Sequence, residues 1–325
     1  MFRRGASTLL AGLLGALVAV SACGGSAGGG AQSRQPTTIK VGVLPIADVA
    51  PLYVGMREGF FKQQNLVVKP QLMQGGAAVA SAVLGGSLDF GFAATVNLLL
   101  ARGQGLPVKI VASGNNAASD PAHAWSAIMV LPDSPIKSVK DLAGKTIAAN
   151  ALKGVNELAI DGIVKRAGVD PGSLKIVPVD FPDMPAALSQ KRVDAVSVPE
   201  PFLTQIKASG GRMISPLFEG YLPGMTVGTY FTTDKEIQEH PALVRAFVEA
   251  IQRSLTYASA HPDVARQAIT TYTRIPASVI PRMELSPWDA KLNRPSIVQT
   301  EQLMRQLGWL KSDVDVNSLI WSGAS

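Results

Sequence analysis

The stretch TIKVGVLPIADVAPLYVGMREGFFKQQNLVVKPQLM, residues 38–73, carries the alternation on which the fold rests. Ile39, Val41, Val43 and Leu44 first alternate and then run on, as a strand entering a buried sheet does. Pro45 has no N–H for a ladder and stops it. From Val49 the apolar residues Leu52, Tyr53, Met56 and Phe60 recur at steps of three and four, which predicts a helix with one buried face. Asn65 opens a second apolar strand, Leu66 to Met73, and Gly75-Gly76 ends it.

The unit then repeats. A small-residue helix over about Ala77–Leu84 leads to a strand at Leu88–Ala93, a short helix from Thr95 and a strand at Val108–Ser113. Strands alternating with helices imply an α/β chain with a largely parallel sheet covered on both faces. The polar run Asn115–Ala124 reads as a crossing to a second lobe, which the strand Trp125–Leu131 enters. There a capped turn at Ser138–Lys145 precedes strands at Thr146–Asn150, Leu174–Val179 and Ala195–Val198, with helices from about Gly154, through Ala186 and Leu188, and from Pro201 to Gly210-Gly211. Thr226–Thr232 is a returning strand. Beyond it Leu243, Phe247, Ile251, Leu255 and Ala258 keep helical spacing, and Pro241, Pro262, Pro276 and Pro295 mark helix starts. The division expected is residues 38–124 for the first part of lobe one, 125–225 for lobe two with its crossover, and 226–325 for the return crossover and helices packing on lobe one.

The N-terminus reads differently. Arg3 and Arg4, the apolar run Leu9–Val20 and small residues before Cys23 make residues 1–22 a secretory signal peptide. The run is about a dozen residues, where a spanning helix needs about 20. Val20-Ser21-Ala22-Cys23 resembles the bacterial lipobox, so Cys23, the only cysteine of the 325 residues, is expected to take a diacylglycerol and anchor the mature chain to the outer face of the cell membrane. The Gly- and Ser-rich segment 23–37 is a flexible tether.

The net charge of +6 is spread along the chain, without the basic patch a nucleic-acid partner requires. His123, His240 and His261 are the three histidines, and no two stand at metal-ligand spacing. Gly144-Lys145-Thr146 resembles the end of a phosphate-binding loop, but Val139 stands where that pattern needs its first glycine, and a strand follows instead of a helix. Neither a cofactor nor catalysis is expected.

What remains is a set of small and polar residues at strand carboxyl ends, where open α/β sheets place ligands. In lobe one these are Pro45, Ile46 and Asp48, the Gly75-Gly76 turn, Thr95 with Asn97, and Asn115. In lobe two they are Asn150, Gly154, Val155 and Asn156, then Asp180 and Glu200. Gly76 and Gly154 precede helices, whose free N–H groups and dipole favour an anion, or are ordinary strand-to-helix turns. Thr95 and Asp48 read equally as helix N-caps. Asp48 and Glu200 are the carboxylates expected to face a ligand.

The order Val43–Pro45, Glu58-Gly59-Phe60-Phe61 with Asn65-Leu66, Gly75-Gly76 and Leu84-Gly85-Gly86-Ser87-Leu88-Asp89-Phe90-Gly91 resembles the nitrate, sulfonate and taurine-type solute-binding proteins, which share this opening with thiamine-pyrimidine-precursor binders. The resemblance continues through Asp141-Leu142-Ala143-Gly144-Lys145, Ala167-Gly168-Val169, Arg192-Val193-Asp194-Ala195 and Pro199-Glu200-Pro201, covering about residues 39–310. It implies a type II periplasmic-binding-protein fold: two α/β lobes joined by two crossover strands, closing about Trp125–Leu131 and Thr226–Thr232. It implies a monomer that captures a small organic solute of sulfonate or taurine type, or an aminopyrimidine, and docks on an ABC permease. A solute-sensing lipoprotein and a thiamine-pyrimidine synthase-like enzyme share the fold; the enzymes carry a cysteine-rich motif and a working histidine, and no cysteine follows Cys23 here. No arginine or histidine stands at the carried-over cleft positions, so backbone donors, asparagines and helix ends must hold the solute.

Lipidation at Cys23 is directly testable. Cells fed a radiolabelled fatty acid should label the wild-type chain, and Cys23→Ser should lose the label and leave the membrane fraction; a labelled Cys23→Ser chain would refute the assignment.

Overall fold

The structure is a computed structural model that describes residues 35–324. The signal-peptide and Cys23 readings therefore lie outside the described residues, as does most of the tether.

Two five-stranded sheets share one design. The first contains β1 (Thr37–Val43), β2 (Leu66–Leu72), β3 (Phe90–Ala94), β4 (Val108–Asn116) and, after a long excursion, β10 (Thr226–Thr233), in the order β2-β1-β3-β10-β4. The second contains β5 (Ser126–Val130), β6 (Thr146–Ala149), β7 (Lys175–Pro178), β8 (Ala195–Pro199) and β9 (Arg212–Pro216), in the order β7-β6-β8-β5-β9. Within each, three strands pair in parallel, β1 with β2 and β3, and β6 with β7 and β8. The fourth position is antiparallel to both its neighbours, held by β10 in the first sheet and β5 in the second.

The sheets are thus mixed, which the expectation of largely parallel sheets did not include. The cause is geometric. A chain arriving from the other lobe enters its sheet at the carboxyl edge of the parallel strands and must run against them. The crossings themselves precede β5 and β10, which lie wholly inside their sheets, and so do not coincide with the strands at which closure was expected. They run side by side, with Ala117 N donating to Met225 O at 2.8 Å and Gly224 N to Ala118 O at 3.3 Å.

Helices cover the sheets. On the first lobe are α1 (Ala50–Arg57), α2 (Phe60–Gln63), α3 (Gly76–Leu84) and α4 (Thr95–Gly103); on the second, α5 (Val155–Arg166), α6 (Met184–Ser189), α7 (Phe202–Ala208) and α8 (Phe218–Tyr221). The helix expected from Val49 through Phe60 is broken in two because Gly59 takes φ 76°, a left-handed turn that ends α1. Strand β9 and helix α8 were not anticipated. The strand is a half-buried edge that pairs with β5 alone, so its sequence RMISP shows no clean alternation.

The tail consists of α9 (Asp234–Glu239), α10 (Pro241–Ala260), α11 (Pro262–Ile269), α12 (Arg294–Gln306) and α13 (Val316–Leu319). Pro241 and Pro262 open α10 and α11, and Pro295 lies in the first turn of α12. Pro276 starts no such helix; it leads into a turn and a single 3-10 turn at Ile280–Arg282. Helix α10 anchors the tail to lobe one through Phe247, which stacks on Phe90 of β3 at 4.0 Å and meets Tyr230 of β10 edge-on at 5.8 Å. A second apolar cluster joins Ala47, Ala50 and Val54 to Leu255, Ala265, Ile280, Met283 and Trp288, so residues 279–288 also belong to lobe one. In β3, Gly91 makes room for α3 and β10: a Cβ there would lie 2.4 Å from Val79 Cγ1 and 2.6 Å from Phe231 Cε1.

Phe247 is fully buried among Phe61, Phe90 and Tyr230. Phe247→Ala should cost about 3–5 kcal/mol of unfolding free energy in a urea titration; a loss below about 1 kcal/mol would show that the tail does not stabilise lobe one.

Candidate ligand-binding site

Between the carboxyl edges of the two sheets lies a partly open cavity. From lobe one it is lined by Leu44, Ile46 and Asp48 after β1, Gly76 at the start of α3, Phe92 and Ala94 of β3, Asn97 of α4, and Val227 and Gly228 of β10. From lobe two come Asn150, Ala151, Gly154, Val155 and Asn156 between β6 and α5, with Phe181, Pro199, Phe218 and Trp125. The walls are therefore apolar and aromatic. Their polar groups are Asp48 and three asparagines, and none of the lining residues is an arginine, lysine or histidine.

Asp48 is the ionisable side chain of the site. Its loop is held on several sides: Asn115 Nδ2 donates to Oδ2 at 2.9 Å, Trp288 Nε1 to the Asp48 carbonyl at 3.0 Å, and Tyr272 Oη to the Ile46 carbonyl at 3.0 Å. The other oxygen, Oδ1, is buried with no hydrogen-bond partner, and the Tyr230 hydroxyl is likewise unpartnered. Burial pushes the Asp48 carboxyl up from 3.8 to about 7; its own backbone and Asn115 oppose the shift, and the charge of Glu219 adds to it. Glu219, on α8, accepts from Ala118 N at 3.2 Å through Oε1 and leaves Oε2 without a partner; burial raises it to about 7 as well. An unpaired buried carboxylate oxygen costs free energy until a donor reaches it.

Three helix N-termini open toward the cavity, those of α3, α4 and α5. Neither α3 nor α4 carries an acidic residue in its first turn. In α5, Glu157 occupies that position and accepts from Lys153 N at 2.6 Å, so a carboxylate already sits at that end. Lys153 stands at φ 53°, the left-handed turn that brings the chain from β6 into α5. A Cβ at Gly76 would lie 2.7 Å from Asn97 Oδ1 and 3.2 Å from Ala93 Cβ, so a larger residue there would have to displace the Asn97 side chain.

The anticipated residues divide. Ile46, Asp48, Gly76, Asn97, Asn150, Gly154, Val155 and Asn156 come together on the cavity wall. Asn156 spends its amide nitrogen on Ser197, donating to its carbonyl at 3.0 Å and its hydroxyl at 3.2 Å. Gly75 is the extended N-cap of α3 and Asn115 acts through Asp48, both one step behind the wall. Thr95 is buried beneath the wall, its Oγ1 donating to the Thr226 and Val227 carbonyls at 3.1 and 3.3 Å, which fixes α4 against β10. Pro45 lines a separate outer groove with Leu72, Met73 and Arg274.

Glu200 is a correction, and so is Asp180. The Glu200 carboxylate turns away from the cavity to accept from Thr204 N at 3.0 Å, Thr204 Oγ1 at 2.7 Å and Glu284 N at 3.3 Å. Its neighbour Pro199 lines the cavity instead. Phe181 likewise takes the wall position beside Asp180. The aromatic walls were not foreseen. Phe92 could have been found, since it follows Phe90 at the strand period near the carboxyl end of β3. Trp125 and Phe218, 5.0 Å apart, meet only through the second sheet, and no local pattern marks them.

A family model described as NMT1/THI5 like matches residues 46–265, from the Asp48 loop into α11. The chain belongs to that family. Among curated relatives, this NMT1/THI5-like protein is 24% identical over 310 residues to the riboflavin-binding protein RibY of Chloroflexus aurantiacus, covering 88% of this chain and 86% of that one. It is 26% identical over 227 residues to the 4-amino-5-hydroxymethyl-2-methylpyrimidine phosphate synthase of Candida albicans, covering 66% and 65%. Among solved structures, the alkanesulfonate-binding protein SsuA of Xanthomonas axonopodis pv. citri, bound to MOPS, superposes with a TM-score of 0.73 at 16% identity, covering 90% of this chain and 99% of that one. The fold is that of periplasmic binding proteins. Two of these three are binding proteins and one is named as an enzyme.

The raised carboxyl has a sign that can be checked. Asp48 binds its proton more tightly in the folded protein, about 7 against 3.8, so its contribution to stability is full below about pH 4 and is lost as pH rises through 7. Asp48→Asn should match wild type at pH 4 and exceed it by on the order of 2–4 kcal/mol at pH 8, read from urea titrations; equal stabilities at pH 8 would refute the buried, proton-linked carboxyl.

Proposed function

We propose that this chain is the extracytoplasmic solute-binding component of an ABC importer, anchored through Cys23, and that it captures a compact organic solute between its lobes for delivery to a permease. The observation that carries the reading is the cavity: it is lined from both lobes, walled by Phe92, Trp125, Phe181 and Phe218, and its one ionisable lining group, Asp48, keeps an unpaired oxygen. Such walls take a flat ring by stacking, and the unpaired oxygen asks for an N–H donor. A nitrogen heterocycle with an amino or ring N–H, of aminopyrimidine type or larger, meets both demands. The flavin ring in the name of the Chloroflexus relative belongs to the same chemical class.

A second solute class rests on the helix ends. Free N–H groups of α3 and α4 would hold a sulfonate, while Asp48 would hold the ammonium of taurine. Nitrate uses neither the aromatic walls nor Asp48. Transport is favoured over catalysis because the cavity presents no histidine, cysteine or serine to a solute. A role in sensing uses the same site, and a partner other than a permease would reveal it in a pull-down.

A thermal-shift screen of the full-length chain in detergent, against 4-amino-5-hydroxymethyl-2-methylpyrimidine, riboflavin, taurine, benzenesulfonate and nitrate, tests the reading. At about 100 times its dissociation constant a ligand adds about 2.7 kcal/mol, several degrees in midpoint. The heterocycles are expected to shift it, and Asp48→Asn to weaken them at least tenfold. A shift with nitrate alone, or none with any compound, would overturn the proposal.

A further inference from the structure

Glu200, turned away from the cavity, sits where the two lobes meet. It follows β8 of the second lobe, is 1% exposed, and accepts three hydrogen bonds. Two come from Thr204 on its own lobe, and the third comes from Glu284 N on the other. Glu284 belongs to the segment that Ile280, Met283 and Trp288 pin to lobe one against Ala47, Ala50 and Val54. Arg266 Nη2 reinforces that attachment by donating to the Met283 carbonyl at 3.2 Å. The backbone of Glu200 makes a second bridge, its carbonyl accepting from Ala47 N at 3.1 Å. Thr204 Oγ1 also lies 3.4 Å from the Arg282 carbonyl of the same segment.

These bonds converge on the Asp48 loop. Ala47 precedes Asp48 in the chain, and Trp288, four residues after Glu284, donates through Nε1 to the Asp48 carbonyl at 3.0 Å. We propose that Glu200 is a positioning residue: its carboxylate latches lobe two to lobe one at Glu284 and thereby holds the Asp48 loop against the cavity. A helix cap alone would need only Thr204, and the bond to Glu284 is what spans the lobes. A carboxyl suits the task because its two oxygens accept from several donors at once, where an amide side chain would leave one of the buried N–H groups unpaired.

The bonds stand whatever the solute is; only their use in capture rests on the binding reading. The test therefore uses the full-length chain without ligand. Amide hydrogen exchange is followed in wild type, Glu200→Ala, Glu284→Pro, the double variant, and Glu284→Ala. The proline removes the Glu284 N–H without touching Glu200, and Met283 before it, at φ −69° and ψ 140°, already has the backbone a following proline requires. Glu284→Ala removes the exposed side-chain contact with His123 Nδ1 at 3.1 Å but keeps the N–H.

The reporting amide is Ala47, whose acceptor is the Glu200 backbone carbonyl and survives every substitution. Exchange at Ala47 should quicken at least tenfold in Glu200→Ala and in Glu284→Pro, no further in the double variant, and not at all in Glu284→Ala. The radius of gyration should rise in the same variants. If only the Thr204 and Glu284 amides quicken while Ala47 keeps its wild-type rate, Glu200 is a cap and the latch is refuted. Should Glu200→Ala fail to fold, Glu284→Pro decides alone. A silent ligand screen with a quickened Ala47 would sink the solute reading and leave the latch standing.

Discussion

Both crossings between the lobes pass through one narrow place, where Ala117 and Met225, then Gly224 and Ala118, join by backbone hydrogen bonds. Much of the architecture follows from that constraint. Because the chain leaves and re-enters each sheet at the edge facing the other lobe, β5 and β10 must run against their neighbours. Because those edges are also the carboxyl ends of the parallel strands, the loops that follow β1, β3, β6 and β8 are brought face to face. The cavity is the space they leave.

The walls of that space divide the work by chemistry. Aromatic side chains from both lobes supply area without charge, and Asp48 supplies one directional group, a carboxyl that burial pushes up to about 7. Its supports come from far apart in the chain, namely Asn115 on β4, Tyr272 after α11 and Trp288 beyond it. The tail is thus more than a cover on lobe one. It fixes the loop that would meet a solute, and through Glu284 it reaches lobe two.

Glu200 shows how a local pattern can point one way and the side chain another. A carboxylate between two prolines at a strand end invites a ligand contact. The chain there turns so that Pro199 faces inward and the carboxylate faces Thr204 and Glu284. The three donors that satisfy it lie four and 84 residues away, and only the nearer ones are within reach of local reasoning. Thr95 went the other way: its reading as a structural residue was open from the start, and two carbonyls of β10 claim its hydroxyl.

The sequence by itself determined the order of most strands and helices, β9 and α8 excepted, because hydrophobic periodicity and the stops at Pro45, Gly75-Gly76 and Gly210-Gly211 act over a few residues. It also marked most of lobe one's and lobe two's loop positions, including Asp48, Asn97 and the run from Asn150 to Asn156, since these lie at the ends of legible strands. Only the tertiary structure decided which strand stands antiparallel in each sheet, that Trp125 and Phe218 form one wall, and that Glu200 joins the lobes instead of lining the space between them. Those outcomes depend on the direction in which side chains point once two distant segments meet, and a one-residue change of facing at a strand end leaves no trace in composition or spacing.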